Sequence, residues 1–132
     1  MKRFIFAFVL CLFVTVPAAA ASWSKYLSNE EKGEAYFIDV TSLHMVENRN
    51  ALFDIKVEFS KAPTLRAVVW TERANCVEGT YRVEKETIYL VDGTVEGPAP
   101  PIDPVRIAWK KALHHSIVDA VCTKLFDISI KE

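Results

Sequence analysis

The chain has 132 residues, 51% of them hydrophobic, with 16 basic and 17 acidic side chains and a formal net charge of −1. That length supports one hydrophobic core and not two, and a balance with no basic excess argues against nucleic acid as a partner. Aromatic residues at 11% and only 4 glycines exclude a disordered or fibrous chain.

Met1, Lys2 and Arg3 precede an apolar run from Phe4 to Val16, followed by Pro17 and the alanines from Ala18 to Ala21. A basic start, a short apolar stretch and a small-residue exit form the pattern of a cleaved export signal, expected here as residues 1–21. The run falls short of the about 20 residues a helix needs to cross a bilayer, so no stable membrane anchor is expected after cleavage. Cys11 lies inside the run, behind Phe8, Val9 and Leu10, and not at its end where a lipidated cysteine would stand. It is expected to leave with the signal. Residues 22–132 then form a single domain, periplasmic or secreted, in which Cys76 and Cys122 are the two remaining cysteines and are expected to pair. Closing that loop stabilises the fold by about 4 kcal/mol, by restricting the unfolded chain.

Along this domain, Trp23 to Leu27 is a short stretch containing apolar residues, ended by a polar turn from Ser28 to Gly33. Glu34 to Val40 reads as a strand, and Thr41 to Asn50 as a connector with a helical turn around Leu43 to Val46. In Ala51 to Phe59, Phe53, Ile55, Val57 and Phe59 alternate with Asp54, Lys56 and Glu58, which predicts an antiparallel strand with one buried face and one wet face. Leu65 to Ala74 is apolar on both faces, with Ala67, Val69 and Thr71 on one and Val68 and Trp70 on the other, and is expected to be central. Thr80 to Val91 returns as a strand. Its period-two pattern fails between Val83 and Ile88, which predicts a bulge or a break near Lys85 and Glu86. Asp92-Gly93 is a hairpin turn leading to a partner strand from Thr94 to Glu96. The prolines at 98, 100, 101 and 104 make Gly97 to Pro104 an extended segment outside any central strand. Asp103 and Pro104, with Val105, Ala108, Trp109, Ala112 and Leu113 at three-and-four spacing, argue for a helix over Val105 to His115. Ser116 and Asp119 form a capping box before Ile117, Val118, Val121, Cys122 and Leu125, which predicts a closing helix from Ile117 to about Phe126.

The order of landmarks resembles the surface-adhesin protein E family of Gram-negative bacteria. The residues that carry it are Trp23; Tyr36, Phe37, Ile38 and Asp39, then Ser42 and Leu43; Trp70; Asn75 and Cys76; Tyr81 and Arg82; Asp92 and Gly93; and Trp109, Ser116 and Cys122. The resemblance implies a six-stranded antiparallel sheet with a C-terminal helix, and a role in binding host extracellular proteins. It also implies an extended segment, not a helix, over Val105 to His115. The fold class expected on both grounds is α+β: an antiparallel meander of about six strands, a C-terminal helix on one face and one disulfide.

No residue pattern commits the domain to a chemistry. His114 and His115 are adjacent and diverge on either a helix or a strand, so one metal is not expected to be shared between them. No Gly-x-Ser-x-Gly, His-Glu-x-x-His or Cys-x-x-Cys motif occurs, and neither catalytic residues, metal nor cofactor are expected. His44 beside Asp39 or Asp54 would point instead to a small hydrolase. The candidate binding surface comprises a basic stripe, Arg106, Lys110, Lys111, His114 and His115, and an aromatic set, Trp70, Tyr81 and Tyr89. The expectation is a non-enzymatic, adhesin-like exported binding module that contacts an extracellular or envelope macromolecule. The alternative is a periplasmic accessory or small-ligand protein with a concave pocket between helix and sheet. An open sheet edge leaves a homodimer available.

Overall fold

The computed structural model describes residues 21–111 and 117–126. The expected signal peptide, apart from Ala21, lies outside the described residues, as do His114, His115 and Ser116.

One antiparallel sheet dominates. Its strands are β1 (Trp23–Asn29), β2 (Glu34–Asp39), β3 (His44–Val46), β4 (Asn50–Phe59), β5 (Leu65–Asn75), β6 (Thr80–Leu90), β7 (Val95–Ala99) and β8 (Lys110–Lys111). The main order is β1-β2-β4-β5-β6-β7, following the chain except that the short β3 is passed over, with β3 added to β4 and β8 to β6. The α+β meander is therefore as the alternation predicts.

Register divides the side chains between two faces. Ile38 opposes Ile55, and Ile55 opposes Trp70. Trp70 in turn opposes Glu86, so these residues share one row. Phe53, Ile55 and Val57 are buried on this face, where they meet Ile117, Val118, Val121 and Cys122 of the closing helix, α2 (Ile117–Phe126). Ala51 and Ala74, cross-strand partners with no exposure, belong to the same cluster, and their methyl side chains leave room for the helix to approach. Cys76, one residue past β5, is joined to Cys122 with a Cα–Cα distance of 5.5 Å. Both cysteines are fully buried, so the cross-link staples α2 onto the sheet from within the core. A closed, buried disulfide belongs to a non-reducing environment.

Three local readings change. The stretch at Trp23 is a full edge strand, β1, whose pattern is obscured by a register shift between Lys25 and Leu27 that leaves Tyr26 out of step. No helical turn forms at Leu43 to Val46. That segment is β3, paired with the start of β4, and the chain reverses through a 3-10 turn at Glu47–Arg49, where Asn48 and Arg49 have φ of 56° and 55°. Short pairing to an existing strand satisfies the backbone there better than one isolated helical turn. The segment after Pro104 combines both alternatives. Asp103 accepts a hydrogen bond from the Val105 amide at 2.9 Å and caps a single turn, α1 (Pro104–Ile107), after which Lys110–Lys111 is extended against β6. The bulge in β6 is present: Thr71 opposes Lys85 while Glu72 opposes Val83, so Glu84 is the extra residue.

Candidate functional site

The expected aromatic set is divided by the sheet. Trp70 and Tyr81 lie on the helix side, packed against the core. Tyr89 opposes Ala67, three residues from Trp70 on β5, and therefore projects from the other face. Trp70 is held by its surroundings: its indole Nε1 donates to Glu86 Oε2 at 2.6 Å, the same oxygen binds Arg106, and the Arg106 guanidinium lies 5.4 Å from the Trp70 ring. Arg106 thus pins α1 to the sheet and is not a free cation of a basic stripe. Lys110 and Lys111 are placed in β8 opposite Tyr81 and Thr80, and His114 and His115 lie outside the described residues. Burial, reinforced by the negative charge of Glu72, pushes the Tyr81 hydroxyl above its ordinary pKa.

The face away from α2 carries a groove of about 680 Å³, which sequence reasoning did not find. Alternation builds it. Since Ile38, Ile55 and Val57 turn inward, Ala35 and Phe37 of β2 and Lys56 and Glu58 of β4 turn outward. Ala67 and Val69 of β5 follow, then Tyr89 of β6. The floor is low because Ala35, Ala67 and Val69 are small. One wall is Trp23 and Lys25 from β1, and the other is Arg66 and Tyr89. Gly33 closes the β1–β2 end in a left-handed conformation, φ 68°, where a Cβ would approach Lys61 Cγ to 2.6 Å and Ser60 Oγ to 2.7 Å.

Cations sit over the rings. Lys56 Nζ lies 5.0 Å from the Trp23 centroid and 4.7 Å from Phe37, and also pairs with Glu58 at 2.9 Å. The Arg66 guanidinium lies 5.9 Å from Tyr89. Among the described residues, neither Lys25 nor Arg66 has a carboxylate partner within salt-bridge distance. Farther along the same face, Glu84 accepts from Arg73 at 2.5 Å and Arg82 at 3.0 Å. Burial opposes the Glu84 charge, but the two guanidinium groups outweigh it and hold its carboxyl below the usual range.

The hydrolase arrangement is not assembled. His44 is exposed, and its Nδ1 lies 2.7 Å from the Ser42 carbonyl oxygen. Asp39 is buried and accepts from the Ser22 amide at 3.0 Å and from the Thr41 amide and hydroxyl at 3.0 and 2.6 Å. Burial alone would raise its pKa, and these donors reverse the direction, holding it below the ordinary carboxylate value. Asp54 accepts from the Thr71 hydroxyl at 2.7 Å. Asp39 thus organises the turn after β2, and Asp54 ties β4 to β5. Among the described residues, no cluster of three or more His, Cys, Asp or Glu is gathered as for a metal ion. The concavity also lies opposite the helix, not between helix and sheet as a small-ligand pocket was expected to lie.

Compared with known proteins, the chain matches no family model, no curated protein and no solved structure.

Proposed function

We propose that this chain is an exported, non-enzymatic binding module, akin to the surface-adhesin protein E family, that engages a macromolecular partner through the groove on its helix-free face. The observation that carries this reading is the groove wall itself. Trp23 and Tyr89 stand on opposite sides of a floor of small side chains, each with a cation at its ring, Lys56 and Arg66, in a lining that also holds Lys25 and the acids Glu30, Glu34 and Glu58. Aromatic rings and arginine are the side chains that most often dominate recognition surfaces. The buried cross-link and the basic-apolar-alanine start of the sequence both favour passage to the periplasm or beyond.

A small ligand is the second reading, favoured by the groove's volume of about 680 Å³, which falls within the range of ordinary ligand sites. Its position on a sheet face, with no helix over it among the described residues, favours the larger partner.

The test is retention of envelope and extracellular-matrix macromolecules by the immobilised, oxidised protein, with a Trp23→Ala/Arg66→Ala variant run beside it. Specific retention by the native chain and its loss in a variant that still melts cooperatively is the expected outcome. Retention of nothing, or equal retention by both, removes the reading.

A further inference from the structure

We infer that hydrolysis of the Ala21–Ser22 bond creates an ion pair that the uncleaved chain lacks, between the new α-ammonium group of Ser22 and the buried carboxylate of Asp39. The inference rests on the export reading and adds the bond at which processing occurs and what processing does to the folded domain.

Ser22 is the first of the described residues to be hydrogen-bonded to the sheet. Its amide donates to Asp39 Oδ1 at 3.0 Å, and its carbonyl oxygen accepts from the Val40 amide at 3.1 Å. Trp23 then opposes Asp39 as the first pair of the β1–β2 ladder. Bonds to two consecutive residues, Asp39 and Val40, thus fix the Ser22 nitrogen before β1 begins. Ala21 and Ser22 are both exposed, so the peptide bond between them lies at the surface.

Asp39 is 5% exposed, and the donors to its Oδ1 are the Ser22 amide, the Thr41 amide and the Thr41 hydroxyl, all of them neutral. Among the described residues, no lysine or arginine stands within salt-bridge distance of it. The neutral donors keep the carboxyl ionised, but a shielded carboxylate with hydrogen bonds and no counter-ion forgoes the Coulombic part of its stabilisation. In the uncleaved chain the anion is met by dipoles alone.

Hydrolysis supplies the cation with the backbone already in place. Water gives its hydroxyl to the Ala21 carbonyl carbon and a proton to the Ser22 nitrogen as the C–N bond breaks, and the proton of the new carboxylic acid passes through solvent to the amine. The nitrogen that donated one neutral N–H then carries three charged ones. One is aimed at Asp39 Oδ1, and the other two keep their water because Ser22 is exposed, so the cation is not stripped of solvent. Such a charge-assisted bond is about twice as strong as the neutral one it replaces. The small-residue pattern also permits cleavage between Ala20 and Ala21. That cut would carry the ammonium one residue outward, by up to about 3.8 Å, and leave the Ser22 nitrogen a neutral amide. Cleavage between Ala21 and Ser22 places the ammonium on the nitrogen that Asp39 binds.

The test is expression of the full chain in a Gram-negative host, with the intact mass of the exported, oxidised protein measured and its urea unfolding compared with that of a version carrying an inserted Gly-Ser between Ala21 and Ser22. The exported native chain is expected to begin at Ser22. The insertion moves the ammonium outward and is expected to raise the unfolding constant about five- to tenfold, the difference between a charge-assisted and a neutral hydrogen bond. Asp39→Asn is expected to make the two versions equally stable. A second measurement stands even if that variant does not fold: at pH 7 the α-amine of the native chain is expected to react with an acylating reagent about tenfold more slowly when folded than in urea, because pairing keeps it protonated, while the inserted version shows no such protection. Equal stability of the two versions, or equal acylation of the native chain folded and unfolded, would overturn the inference. An exported chain that begins at any other residue would remove this inference alone and leave the export reading standing. A chain that keeps residues 1–21 and stays in the cytoplasm would remove both.

Discussion

Removing the Cys76–Cys122 cross-link should cost about 4 kcal/mol. The bridge spans a sequence separation of 46, and loop-closure entropy for a ring of that size amounts to about 4 kcal/mol at 25 °C. Native domains are stable by only about 5–15 kcal/mol, so this is a large fraction of the whole. The substitution should be Cys76→Ala with Cys122→Ala, because both positions are fully buried and serine hydroxyls there would need hydrogen-bond partners. Urea unfolding followed by circular dichroism is the assay. With a slope of about 2 kcal/mol per molar, the midpoint should fall by about 2 M. Reducing the unmutated protein separates entropy from packing: it opens the bridge yet leaves both sulfurs in the core, so it should reproduce most of the loss. A reduced midpoint within about 0.5 M of the oxidised one would refute the reasoning, since it would mean that α2 and the sheet hold together without the covalent constraint.

Phe53, 1% exposed at the centre of β4, supports the strongest packing prediction: Phe53→Ala should destabilise by about 3–5 kcal/mol, measured in the same urea titration. Glu84→Gln tests the ion-paired cluster on the helix-free face. Its folded carboxyl is held below the usual range, so its contribution is complete above the unfolded value near pH 4 and is lost as pH falls through the lower folded value. The variant should therefore be less stable than the native chain by about 1–2 kcal/mol at pH 7, discounted for partial exposure, with the gap closing under acid conditions. A gap of equal size at pH 3 and pH 7 would contradict that assignment.

The fold was largely legible because period-two alternation is a direct record of which face is wet. Phe53, Ile55 and Val57 against Asp54, Lys56 and Glu58 identify β4, and the failure of the count between Val83 and Ile88 locates the bulge at Glu84 to within a residue or two. β1 was not legible as a strand, since its only apolar residues, Trp23, Tyr26 and Leu27, straddle an irregularity. The groove was missed for a related reason. Asp54, Lys56 and Glu58 mark the wet face of β4, but whether a wet face is flat or concave depends on what flanks it. The signal present in the sequence was the run of small outward residues, Ala35, Ala67 and Val69, between positions bearing Trp23 and Tyr89.

The sequence by itself determined the strand periodicity, the hairpin at Asp92-Gly93, the closing helix and the even pair of cysteines, because each is a local pattern or a count. Tertiary structure alone decided that Trp70 and Tyr81 face α2 while Tyr89 faces away, that Arg106 is taken up by Glu86, and that Trp23 and Arg66 wall a common groove. Those relations join residues tens of positions apart through strand register. Register is fixed by the summed burial of one whole face, and no short window of sequence contains that sum.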